Sequence, residues 1–94
     1  MDTGDPNNYR RVIIAIHEKW FNGKGFAIWE VRDAAAVSSS TARRVITDLM
    51  DLRLVHKRQK SYLGRKYHVT SRWPIDQQGV VDAYELNKII KMGA

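Results

Sequence analysis

The sequence contains no cysteine, so neither a disulfide framework nor a thiolate zinc site can hold this chain together. It has no apolar run near the roughly 18 residues that a membrane-spanning helix needs, and its acidic, polar start is unlike a secretory signal. A length of 94 residues suits one domain with one modest core. We therefore expect an intracellular, cytoplasmic protein that is stabilised by packing alone, with a disordered tail over residues 1–8.

Acidic residues are missing from one long segment, and the net charge of the protein follows from that gap. Between Arg53 and Arg72 there is no Asp or Glu, but there are seven basic residues: Arg53, Lys57, Arg58, Lys60, Arg65, Lys66 and Arg72. These seven leave nine of the 16 Lys and Arg elsewhere, against all ten Asp and Glu, so the rest of the chain is nearly neutral. The excess behind the net charge of +6 lies in one segment, which favours a polyanionic partner.

The spacing of apolar residues predicts three helices in the first part of the chain. The first covers 9–21 and ends at the glycine-containing segment 22–25. The second covers about 29–36 and follows a short apolar piece that could form a brief strand. Serines favour helix starts over helix interiors, so the third begins near Ser40 and runs to about Arg53. Its core side would carry Ala42, Val45, Ile46, Leu49 and Leu52, and its polar side Ser40, Arg44, Thr47 and Asp51, with Thr41 and Arg43 on the flanks.

Two strands and a last helix are predicted in the remainder. The strands cover 54–60 and 65–70 around a turn that contains Gly64, and Val55, Tyr67 and Val69 can face the core. The last helix, over about 78–92, carries apolar residues around most of its circumference. Because one small domain can bury only one such face, the other predicts a homodimer contact. The expected interface residues are Val81, Tyr84, Leu86, Ile89 and Ile90, in a dimerisation element over 73–94 that follows a domain over 9–72.

The order of these elements and the residues themselves resemble a known family. Residues 29–55, WEVRDAAAVSSSTARRVITDLMDLRLV, are similar to the helix-turn-helix core of bacterial and archaeal winged-helix regulators, MarR-type proteins included. The resemblance spans roughly 9–70 and implies an α+β winged helix-turn-helix fold and a transcriptional regulator that binds double-stranded DNA. The family often has glycine where Ala36 stands. We expect a right-handed or extended turn there, since a left-handed alanine would cost on the order of 1 kcal/mol.

The chemistry of groove recognition gives candidate contacts on the third helix and on the hairpin. An α-helix fits the major groove, where its outward polar side chains can bond to base edges. On the third helix the candidates are Ser40, Thr41, Arg43, Arg44 and Thr47, with Arg44 the first choice for a guanine and Ser38 and Ser39 suited to a phosphate. On the hairpin, which would follow the DNA backbone or the minor groove, they are Lys57, Arg58, Lys60, Arg65 and Lys66 for phosphates and Tyr62 for a sugar.

Other kinds of chemistry are not indicated. His17, His56 and His68 lie far apart in the sequence, so we predict neither a metal site nor a cofactor. No set of nucleophile and base or phosphate loop is apparent, so we do not expect an enzyme. The three tryptophans, Trp20, Trp29 and Trp73, are expected in the core. Two alternatives to a sequence-specific regulator remain: a winged-helix module that binds a protein, and a non-specific architectural or replication protein that binds DNA.

Overall fold

The structure of the protein is a computed structural model that describes residues 8–59 and 63–93. Within these ranges the chain is a small α+β fold of four helices and a two-stranded antiparallel hairpin. The elements, in chain order, are α1 (Asn8–Trp20), α2 (Ile28–Ala35), α3 (Ser39–Asp51), β1 (Val55–Lys57), β2 (Tyr67–Val69) and α4 (Gln77–Gly93). The helices begin and end close to the predicted residues, whereas both strands are shorter than predicted.

The helices form where apolar spacing and capping agree. In α1, Val12, Ile13 and Ile16 lie on one face and are fully buried, and the chain turns away at Gly23, whose φ of +87° suits a residue without Cβ. The start of α3 is capped by Ser38, whose Oγ accepts a hydrogen bond from the backbone N–H of Thr41 at 3.1 Å. The predicted helix start at the serines is therefore confirmed.

The hairpin is attached to the helices through its apolar face and through one additional backbone pairing. Val55 pairs with Val69, and both are buried together with Tyr67, as predicted. Phe26 forms an isolated antiparallel bridge with Tyr67, and the two residues exchange backbone hydrogen bonds of 2.7 and 3.1 Å. The apolar piece before α2 thus pairs as a brief strand, and the pairing ties the base of the hairpin to α2.

The turn between α2 and α3 differs from the prediction. Ala36 has φ 56° and ψ 48°, a left-handed conformation, and not the right-handed or extended one expected for alanine. The backbone needs this conformation because the N–H groups of Ala36 and Val37 both donate to the carbonyl oxygen of Arg32, which closes the helix end. The turn also places Val37 in the core. Closing the helix and burying Val37 outweigh the strain at Ala36.

The three tryptophans have different surroundings. Trp73 is buried, as predicted, and its Nε1–H donates to Nδ1 of His17 at 2.9 Å. Trp20 is partly buried and packs against the core. Trp29 is 45% exposed, so its predicted place in the core is wrong. Its position in the first turn of α2 puts it beside the hairpin instead of under it.

Helix α4 packs against α1 with one face and leaves the other open. Val80, Val81 and Tyr84 belong to the core of the single chain, so Val81 and Tyr84 are not free to form the predicted subunit contact. The other three predicted interface residues, Leu86, Ile89 and Ile90, are 59%, 67% and 61% exposed. None of the helices in the described parts of the chain combines the length and the apolar character needed to cross a membrane.

Candidate nucleic-acid interface

A single groove runs between α2, α3 and the hairpin. Its volume is about 630 Å³. The residues that line it are Ala27, Ile28, Trp29 and Arg32 at α2, Ser39, Arg43, Thr47 and Met50 on α3, and Lys57, Gly64, Lys66 and Tyr67 on the hairpin. Predicted contact residues from the third helix and from the hairpin therefore meet at one surface.

The wall that α3 contributes follows from helical spacing. Ser39, Arg43 and Thr47 are four residues apart, so they lie one above the other on one side of the helix. Val45, Ile46 and Leu49 occupy the adjoining core side and are buried. The amphipathic pattern of the sequence holds α3 on the core and leaves its polar side at the groove.

Two of the predicted contacts on α3 have other surroundings. Thr41 is buried, 7% exposed, so a role in base contact is wrong for this residue. Arg44 is exposed but is not part of the groove wall. It lies near the hydroxyl of Tyr84, whose pKa is raised by burial and by its hydrogen bond to Asp48, while Arg44 acts to lower it. Arg43, not Arg44, is the arginine of α3 that faces the groove.

The serines at the start of α3 are partly engaged within the chain. Ser38 Oγ accepts the capping hydrogen bond from the Thr41 backbone N–H and donates to Thr41 Oγ1 at 3.1 Å, so the hydroxyl that was predicted to donate to a phosphate already has a partner. Ser39 lines the groove, where its Oγ is 3.4 Å from a guanidinium nitrogen of Arg32. Ser40 is exposed, and its Oγ lies 3.1 Å from that of Ser38. Ser39 is therefore the serine best placed to meet a ligand in the groove.

The hairpin presents different residues on its two faces. Lys57 lies on the same face of the sheet as Val55 and lines the groove with Lys66. His56 and His68 pair across the strands on the other face, with ring centroids 5.2 Å apart. Burial lowers the pKa of His68, and the positive charge of Arg58 and the neighbouring His56 lower it further. The predicted contacts at Lys60 and Tyr62 lie outside the described residues.

Arg65 has a partner within the chain. Its Nε donates to Oε1 of Glu30 at 3.0 Å, and its guanidinium carbon lies 6.0 Å from the ring centroid of Trp29. The same Glu30 oxygen accepts the backbone N–H of Ala27 at the start of α2. The prediction that Arg65 neutralises a phosphate did not include this pair, which fixes the base of the hairpin against α2.

The electrostatic character of the groove comes from cations without carboxylate partners. No ion pair joins Arg43, Lys57 or Lys66 to any other residue in the ranges that the structure describes. Arg32, at the edge of the groove, pairs with its neighbour Asp33 at 2.9 Å. The groove can therefore attract an anion without first breaking an internal ion pair at those three residues.

Sequence reasoning missed the contribution of α2 to this surface. Ile28, Trp29 and Arg32 line the groove although no DNA contact was predicted for them. Trp29 and Arg32 are three residues apart, so they share one face of a short helix next to the predicted turn. This spacing could have indicated that α2 contributes to the surface. No group of three or more His, Cys, Asp or Glu side chains that could hold a metal ion occurs in 8–59 and 63–93.

Comparison with known proteins adds no assignment, since no protein-family model and no curated protein sequence matches the chain.

Proposed function

We propose that this protein is a winged helix-turn-helix protein that binds double-stranded DNA, with α3 in the major groove and the hairpin as the wing. The proposal makes it a binding protein and not an enzyme. A regulator of transcription is the role that fits a small domain of this kind, as the resemblance of residues 29–55 implies.

The observation that carries the proposal is the shared groove. Ser39, Arg43 and Thr47, on one flank of α3, and the unpaired cations of the hairpin line one concave surface. An α-helix with Arg and Thr on its outer side can enter the major groove and bond to base edges. Lys57 and Lys66 would lie beside it and neutralise phosphates, which sets the affinity and makes it dependent on salt.

The position of Arg43 refines the expected contacts. An arginine guanidinium can bond to O6 and N7 of a guanine at the same time. Because Arg43 faces the groove with Thr47, we now place this contact at Arg43 in preference to Arg44. Arg44 and Ser40, on the neighbouring side of the helix, remain candidates for the flanking base or phosphate.

We further propose that the protein acts as a homodimer through α4. Leu86, Ile89 and Ile90 form an exposed apolar stripe on a helix whose other face is already used by the core. A two-fold dimer would present two α3 helices to half-sites about one turn of DNA apart. Sedimentation at the concentration used for DNA binding tests this part: we expect a dimer, and a monomer that still binds a palindromic site would contradict it.

The proposal is tested by selecting bound duplexes from a random pool at moderate salt and then measuring affinity by fluorescence anisotropy. An enriched near-palindrome is the expected result. Arg43→Ala should weaken binding to that site by about 1–3 kcal/mol. Arg11→Ala is the matched control, because Arg11 is an exposed arginine of α1 that lines a separate depression against α2.

The same apolar stripe favours one alternative, a winged-helix module that binds another protein. That function would leave the chain without DNA affinity, and Arg43→Ala would have no effect on the partner. A non-specific DNA-binding protein is distinguished by the selection itself, because no sequence would be enriched although binding occurs. Absence of binding to any duplex would reject both DNA-binding functions.

A further inference from the structure

Trp29 is a large aromatic side chain at the groove whose exposure the core does not explain. It is 45% exposed, whereas its aromatic neighbours along the hairpin base, Phe26 and Tyr67, are 0% and 6% exposed. It lies in the first turn of α2 and lines the groove together with Arg43 and Lys57. An apolar surface of this size, left open beside unpaired cations, is suited to a ligand that combines negative charge with flat apolar faces.

The indole ring is held in place although it is exposed. Its Nε1 lies 3.5 Å from the carbonyl oxygen of Leu63, and the guanidinium of Arg65 lies over the ring, 6.0 Å from its centroid, and is fixed in turn by Glu30. These contacts come from the hairpin and from α2, so the ring is oriented by both. A contact surface that is ordered before binding loses little conformational entropy when the ligand arrives.

The charges on the two sides of the ring differ. On one side is a shallower depression of about 350 Å³ whose walls include Lys19 and the carboxylates of Glu30 and Asp33, which are paired with Arg65 and Arg32. On the other side is the groove with Arg43, Lys57 and Lys66. The three groove cations have no ion-pair partner in the described residues, whereas both carboxylates of the depression are already paired, so a polyanionic backbone would pass Trp29 on the groove side.

We infer that Trp29 is a DNA-contacting residue whose ring packs against the deoxyribose of the strand that crosses between α2 and the hairpin. The inference rests on the proposed function and adds a contact that fixes the register of the duplex without reading its sequence. Sugar contacts position a protein on DNA and carry no direct base readout. Trp29 should therefore contribute similarly to binding of selected and unselected sequences, unlike Arg43.

Tryptophan fluorescence gives a direct test, because only Trp29 among the three indoles faces the groove. A mixed-sequence duplex is added to the protein until anisotropy of the labelled DNA shows saturation, and quenching by acrylamide is measured with and without DNA. We expect DNA to shield the protein from acrylamide. The shielding should disappear in Trp29→Phe and persist in the control Trp20→Phe, whose residue is partly buried against the core.

Affinity gives the second measurement. Trp29→Ala should weaken binding about tenfold for selected and unselected duplexes alike, with chemical unfolding of the variant as the check that it is folded. If the wild-type protein binds DNA but its indoles stay equally open to acrylamide, Trp29 acts only by placing the hairpin and the inference is wrong. Shielding that persists in Trp29→Phe would also overturn it. Either result leaves the proposed function intact, whereas failure of the wild-type protein to bind any duplex would reject both.

Discussion

Two surfaces of this domain differ in how their charged side chains are paired. The groove face is the surface between α2, α3 and the hairpin, and the α1–α4 face is the region where α4 packs against α1. At the α1–α4 face, Glu85 accepts from both Tyr9 and Arg10, and the Tyr84 hydroxyl donates to Asp48 at 2.7 Å. At the groove face, Arg43, Lys57 and Lys66 have no ion-pair partner in the described residues. Paired charges at one face support packing, whereas unpaired charges at the other are left available for a ligand.

The contrast extends to the aromatic residues. Tyr9 and Tyr84 stack at 4.7 Å between ring centroids, and both are buried. Trp29 at the groove is held through its Nε1 and by the Arg65 guanidinium over its ring, and it is still 45% exposed. We therefore expect changes at the α1–α4 face to alter stability more than DNA affinity, and changes of groove cations to do the reverse.

The largest effect on stability is expected where the groove face is joined to the core. A Cβ at Gly25 would lie 2.6 Å from the carbonyl oxygen of Arg65, which is backbone and cannot move away easily. Gly25→Ala should disturb the bridge between Phe26 and Tyr67 and lower the free energy of unfolding by about 3 kcal/mol. Chemical denaturation measures it.

The matched control for this change is Gly23→Ala. A Cβ at Gly23 would meet no atom within 4 Å, but its φ of +87° strains any side chain. The expected loss is therefore only about 1 kcal/mol. Equal losses for the two variants would show that the contact with the Arg65 backbone is not what makes Gly25 necessary.

At the opposite face, Tyr84→Phe removes the hydrogen bond to Asp48 while keeping the ring stacked on Tyr9. The free energy of unfolding should fall by about 1–2 kcal/mol, and DNA affinity should change little. For stability alone, Tyr67→Phe is the control, because Tyr67 is also buried but lines the groove and no hydrogen bond joins its hydroxyl to another described residue. A large loss of DNA affinity in Tyr84→Phe would contradict the division between the two faces.

A smaller effect, of opposite sign, is expected at the turn between α2 and α3. Ala36→Gly should raise the free energy of unfolding by about 0.5–1 kcal/mol, because glycine adopts the left-handed conformation without the Cβ strain. Ala34→Gly, an exposed position inside α2, should instead lower it by about 1 kcal/mol. Thermal unfolding distinguishes the two signs, and destabilisation by both changes would argue against strain at Ala36.

The smallest effect concerns pH. Because the pKa of His68 is lowered in the folded protein, the unfolded chain binds more protons between that lowered value and the ordinary value of 6.5. The free energy of unfolding should therefore decrease as the pH falls through this window and be unaffected by His68 above it. His68→Thr should flatten this dependence, and an unchanged dependence in the variant would mean that other groups produce it.

Local patterns predicted much of the fold. Apolar spacing identified the helices, the glycine-containing turn identified the hairpin, and the residues of the predicted polar side of α3 are exposed. Ala36 escaped prediction because the hydrogen bonds that close α2 outweigh the preference of a single residue. Local preference decides only where no tertiary contact opposes it.

The candidate site was predicted less completely, since its details depend on pairs of distant residues. Glu30 and Arg65 are 35 positions apart, and nothing in either segment shows that they meet. The same pairing brings Trp29 to the edge of the groove, which its apolar character alone assigned to the core. Arg43 and Arg44 are adjacent in the sequence, but Arg43 lies at the groove and Arg44 lies towards Tyr84 of α4. Which of the two faces the groove depends on the rotation of α3 about its axis.

The salt dependence of DNA affinity tests most directly whether the unpaired cations of the groove bind phosphates. Lys57→Ala combined with Lys66→Ala is compared with Arg11→Ala combined with Lys19→Ala, which removes two charges from the depression between α1 and α2. The slope of log affinity against log salt should fall by about 0.9 for each phosphate that is no longer neutralised, about 1.8 in the groove variant. The control should keep the wild-type slope. Equal slopes for the two variants would contradict the account, because they would mean that net charge alone, and not the groove, holds the DNA.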